Sequence, residues 1–91
     1  MRSIKLTKQF RKDVKRIKND PGKLQALNDV LLLLRENGTL PSKYKPHILT
    51  GNYKGCMECH IGSDFLLIWL DEQTNVIKLL RLGSHAELFR M

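Results

Sequence analysis

Three strand-like runs fill most of the second half of the chain: Tyr53 to Ile61, Phe65 to Leu70 and Val76 to Leu82. Gly62-Ser63-Asp64 separates the first pair, and the polar residues 71–75 separate the second. Links this short favour antiparallel pairing of neighbours, so the runs predict a meander. The first half follows other periods. Arg2 to Leu6 alternates polar and apolar residues and predicts a short edge strand. Thr7 then caps a helix from Lys8 to about Lys18, whose core stripe is Phe10, Val14 and Ile17. Asp20-Pro21-Gly22 opens a second helix in which Leu24, Leu27, Val30, Leu31 and Leu34 recur at three- and four-residue spacing, and Asn37-Gly38 stops it. The expected order is β-α-α-β-β-β with a short C-terminal tail. That is an α+β fold, two helices on one face of an antiparallel sheet, forming a single domain over residues 1–91. Leu32 and Leu33 widen the apolar surface of the second helix, which a partner protein would cover. From Thr39 to Asn52 no period survives, and this expected loop carries His47.

Charge divides the chain unequally. The net charge of +7 comes from the first 50 residues, which hold 12 Lys and Arg against 4 Asp and Glu; the remainder holds 4 against 5. Such asymmetry points to a polyanionic partner, either nucleic acid or an acidic surface. At roughly 100° per residue, Lys8, Arg11, Lys12, Lys15, Arg16 and Lys18 fall opposite the core stripe of the first helix. They form a candidate nucleic-acid-binding face. The N-terminus has no apolar signal region, and the longest apolar run, Phe65 to Leu70, is too short to cross a bilayer. A cytoplasmic protein is expected, with both cysteines as free thiols.

Cys56-Met57-Glu58-Cys59-His60 matches the C-x-x-C-H signature of haem attachment. In a strand, however, residues three apart point to opposite faces, so Cys56 and Cys59 are not placed to share haem, zinc or a disulfide. Neither haem nor any other cofactor is expected. The same alternation puts Lys54, Glu58 and His60 on a polar face, with Tyr53, Met57, Cys59 and Ile61 on a core face. Asp64 follows at the next turn. Near the C-terminus, Arg81 ends a strand and His85 lies just past Gly83-Ser84, so a permanent cation and a group titrating near neutrality stand four residues apart. Both are expected where the core needs no polar side chain. Histidines for proton transfer and an arginine to hold a phosphate suit cleavage of a phosphodiester.

Four segments resemble one family. They are Phe10 to Lys15; Lys45 to Gly55, which includes His47 and Lys54; Glu58 to Ile68; and Leu80 to Phe89. Together they are similar to the RelE superfamily of bacterial toxins, in its YafQ branch, with Ser63 and Phe65 where that family often has Pro and Trp. The resemblance implies a ribosome-dependent, metal-independent messenger RNA endoribonuclease that inhibits translation and is silenced by a cognate antitoxin. It implies a site at His47, His60, Asp64, Arg81, His85 and Phe89, with Lys54 and the six cations of the first helix against RNA of the ribosome. Asp64, His47 or His60 would accept the 2'-OH proton, Arg81 would stabilise the phosphorane, His85 would protonate the leaving 5'-oxygen, and Phe89 would position the nucleotide. A non-catalytic RNA- or protein-binding module that represses together with an antitoxin is the alternative.

Overall fold

The computed structural model describes residues 2–72 and 74–89; Gln73, in the expected link before the last run, lies outside them. A five-stranded sheet has the order β1-β5-β4-β3-β2, where β1 is Ser3–Leu6, β2 His47–Ile48, β3 Met57–Gly62, β4 Phe65–Glu72 and β5 Val76–Gly83. All neighbours are antiparallel except β1 and β5, which run parallel with Ser3 opposite Val76 and Leu6 opposite Leu79. The expected antiparallel meander is therefore β3-β4-β5, with β1 brought alongside as a parallel edge.

Local chemistry sets the helix starts. Thr7 Oγ1 accepts from the Phe10 N–H (3.1 Å) and donates to the Leu79 carbonyl (2.9 Å), so one hydroxyl caps α1, Lys8–Lys15, and ties it to β5. Asp20 accepts from the Lys23 N–H (3.1 Å) at the start of α2, Pro21–Asn37. Gly38 closes α2 in the left-handed conformation, with its N–H on the Leu34 carbonyl. A Cβ at Gly38 would also run into the Arg2 guanidinium.

Three expectations are corrected. α1 ends at Lys15, because Arg16, Ile17 and Lys18 donate three residues back and tighten the last turn. The expected loop holds a 3-10 turn, Ser42–Tyr44, and the two-residue strand β2, which pairs His47 with Glu58. The first meander strand begins at Met57, since Gly51, Tyr53 and Gly55 have positive φ and fold residues 49–56 into a turn. The C-terminal tail is a short helix, α3, His85–Phe89.

Two apolar clusters flank the sheet. The larger one joins Phe10, Ile17, Leu27, Val30 and Leu34 of the helices to Cys59, Leu67, Trp69, Ile77, Leu79 and Leu82. Across the sheet, Cys56, Leu66, Ile68 and Leu88 form the smaller one, with Leu49, Tyr53, Leu80 and Phe89 packed against it. The cysteines thus occupy different clusters, Cys59 on β3 and Cys56 on the turn just before it.

Candidate active site

The smaller cluster ends in a row of rings. His47 and His60 have centroids 6.2 Å apart, His60 and His85 6.0 Å, His85 and Phe89 6.2 Å, and Phe89 and Tyr53 6.1 Å. The rings arrive from several elements. His47 sits on β2, His60 on β3, and His85 and Phe89 are one turn apart on α3. The row therefore requires the meander and α3 to be in place together.

Asp64 orients His85. It occupies the two-residue turn between β3 and β4 with φ of 49°, a left-handed conformation that Asp tolerates better than most residues. Its Oδ1 accepts the His85 backbone N–H (2.9 Å) and lies 2.9 Å from His85 Nδ1. These two contacts, the backbone one first, hold the Asp64 carboxyl below its ordinary value. With Nδ1 held by Asp64, Nε2 is the ring atom left to meet a substrate.

His47 is held on both sides. Nδ1 lies 2.9 Å from the Lys45 carbonyl, and Nε2 lies 3.1 Å from Glu58 Oε1. Glu58 is only 3% exposed, so the face of β3 expected to be polar and open is covered at this point. Its second oxygen, Oε2, is buried without a hydrogen-bond partner among the described residues. The His60 ring, between these rings, makes no side-chain hydrogen bond among the described residues.

Arg81 joins the row through Tyr53, whose hydroxyl accepts from Nη1 (3.2 Å). Its other contacts fall on Asp13, which sequence reading missed: Nε donates to Oδ2 (2.9 Å) and Nη2 to Oδ1 (3.4 Å). Asp13 is 1% exposed and also accepts from Gln9 Nε2 (3.1 Å) and from the Leu82 N–H (2.9 Å). β1 covers β5 only as far as Leu79, and the Asp13 carboxylate satisfies the uncovered edge beyond it. The hydrogen bond to Asp13 keeps the Arg81 pKa above its already high ordinary value. Three of its five N–H groups are engaged, which leaves two for a phosphate. The expectation that Arg81 lies clear of the core is thus overturned.

The signals for the missed residues were present. Asp13 shares the i, i+3, i+7 stripe with Phe10 and Ile17, and Tyr53 stands between Gly51 and Gly55. Of the seven cations expected to bind RNA, all are exposed, and Arg16 reaches the site. It lines a cleft of about 550 Å³ with Tyr53, Arg81 and Phe89, and it lies 3.3 Å from Glu87. Lys8, Arg11, Lys12 and Lys15 continue along α1, Lys18 stands on the turn after it, and Lys54 on the turn beside Tyr53. Among the described residues no group of three or more His, Cys, Asp or Glu is arranged to hold a metal ion, and no helix is long and apolar enough to cross a membrane.

Set beside known proteins, a chain with this sheet and this row of rings falls among the toxins of bacterial type II toxin-antitoxin systems. The family described as "Bacterial toxin of type II toxin-antitoxin system, YafQ" matches residues 2–90, and the chain belongs to it. It is 35% identical to the mRNA interferase toxin YafQ of Escherichia coli K12, over 97% of this chain and 96% of that protein. The fold superposes on YafQ in the E. coli DinJ-YafQ complex with a TM-score of 0.85, at 33% identity, over 98% of this chain and 99% of that one. A metal-bound toxin from Helicobacter pylori superposes with a TM-score of 0.85 at 40% identity, over 98% and 100%. The resemblance of the four sequence segments thus extends to the family and to the fold.

Proposed function

We propose that the protein is a ribosome-dependent endoribonuclease that cuts messenger RNA by metal-independent acid-base chemistry and so inhibits translation. The observation that carries this reading is the unbroken row His47-His60-His85-Phe89, with Asp64 turning Nε2 of His85 outward. The name of the E. coli relative, an mRNA interferase, supports the substrate class. Of the three candidate bases, Asp64 is engaged by His85, and His47 is held between Lys45 and Glu58. His60 is the one without such a partner, and we assign it the 2'-OH proton. The 2'-oxygen then attacks the adjacent phosphorus while the free N–H groups of Arg81 meet the charge of the phosphorane. His85 gives its Nε2 proton to the leaving 5'-oxygen, and Phe89 positions the nucleotide by stacking. The products are a 2',3'-cyclic phosphate and a 5'-OH.

Single-turnover cleavage of programmed ribosomes tests this. His85→Ala is expected to lower the rate by about 10² to 10⁴, the usual worth of a general acid. Cleavage should persist when EDTA is present and ribosome integrity is kept by polyamines. A wild-type rate in the variant, or a 5'-phosphate product, would overturn the assignment. The alternative, a repressor module that binds RNA without cutting it, is expected to leave messages intact in the same assay.

A cognate antitoxin, acidic and encoded beside this chain, is expected to cover the basic face and exposed apolar side chains such as Leu32 (45% exposed) and Ile48 (63%). The DinJ-YafQ complex offers the precedent. Growth arrest on induction should be relieved by co-expressing a neighbouring small reading frame, and arrest that no neighbour relieves would contradict the pairing.

A further inference from the structure

The row of rings separates two clefts. Phe89 and Arg81 line the smaller one, with Tyr53, whereas His60, Asp64 and His85 form one wall of a larger cleft of about 760 Å³. Its opposite wall is Lys43, Tyr44 and Lys45. That volume lies within the roughly 300–1,000 Å³ of ordinary ligand sites. Among the described residues that line it the one acid, Asp64, already accepts from His85, so Lys43 and Lys45 have no other carboxylate beside them in the cleft.

Backbone hydrogen bonds shape the Lys-Tyr-Lys wall. The Tyr44 N–H donates to the Pro41 carbonyl (3.1 Å) and the Lys45 N–H to the Ser42 carbonyl (2.9 Å). Lys45 then takes a left-handed φ of 49°, and its carbonyl faces His47 Nδ1. Tyr44 is half-buried against the larger cluster, and Lys43 Nζ stands 5.1 Å from its ring centroid. One turn therefore fixes an aromatic face, two cations and His47 together. A planar, anionic ligand fits these features: the ring offers stacking and the ammonium groups offer contacts to phosphate.

We infer that this cleft is a nucleotide subsite, holding the ribonucleotide that adjoins the scissile phosphate on the side away from Phe89, with its base on Tyr44 and its phosphate near Lys43 and Lys45. This rests on the nuclease reading. His85 lines the larger cleft and Phe89, one turn on, lines the smaller, so a strand with its phosphate at His85 has a cleft ready on each side.

The test is single-turnover cleavage of programmed ribosomes carrying either an intact message or one with an abasic nucleotide just 5' or just 3' of the cut. At one of these positions, loss of the base should slow the wild-type protein by roughly 5- to 150-fold, the range for base stacking. Tyr44→Leu should slow cleavage of the intact message by a similar factor, and the two losses should not multiply. Lys45→Gly, which suits the left-handed backbone while removing the charge, should flatten the salt dependence of cleavage; this variant keeps the test open should Tyr44→Leu fail to fold. Losses that multiply at both positions, or wild-type rates with unchanged salt dependence in both variants, would overturn the subsite. A wild-type protein that cuts no message on programmed ribosomes would overturn the nuclease reading itself.

Discussion

Asp13 makes the site and the fold depend on one another. Its buried carboxylate receives Arg81, Gln9 and the edge of β5, so removing Arg81 leaves a charge in the interior without its main partner. Arg81→Ala is expected to cost about 3 kcal/mol in urea unfolding, the scale of a broken buried pair. Asp13→Ala combined with Arg81→Ala should restore part of that, because the pair is coupled. Additive losses would show that the two side chains do not sense each other. Any loss of cleavage in Arg81→Ala must accordingly be read beside its stability. The histidines were legible in the sequence because few other side chains titrate near neutrality. Asp13 was not, since a lone acid among six cations reads as surface until its place on the Phe10-Ile17 stripe is weighed.

At the scale of elements, capping signals were legible because they are local: Thr7, Asp20 and Gly38 make their bonds within a turn of the helix they bound. β2 was not legible. Two residues carry no periodicity, and His47 and Ile48 are a strand only because Glu58 and Met57 lie opposite them. The opening of the first strand-like run is not a strand for a related reason, in that Gly51 and Gly55 outweigh its alternation. α1 presents its cations outward, and Arg16 alone among them is tied to α3, through Glu87. The binding test should therefore spare Arg16. Lys12→Glu with Lys15→Glu is expected to weaken ribosome affinity and to reduce the slope of log K against log salt by roughly one for each phosphate no longer neutralised. Equal affinity and slope would mean that this face is merely solvated.

Across the whole molecule, the sheet divides the interior, and the cysteines report on its two sides. Burial, then the nearby Glu58 charge, pushes the Cys59 thiol up to about 12 from 9.0. The unfolded chain releases this proton near its ordinary value and the folded one does not. The contribution is thus fully present below pH 9 and is lost between pH 9 and 12, by about 1.4 kcal/mol per pH unit. Urea midpoints at pH 8 and pH 10 should fall more for the wild type than for Cys59→Ala, and equal falls would place the thiol in water. The parallel pairing of β1 with β5 also sets an order of events. Ser3 meets Val76, so the N-terminal strand waits for the last strand of the sheet, and His85 and Phe89 come later still. Pairing over such a separation is slow compared with closing a hairpin. During translation the nascent protein is thus a polycation before His47, His60, His85 and Phe89 have been brought together.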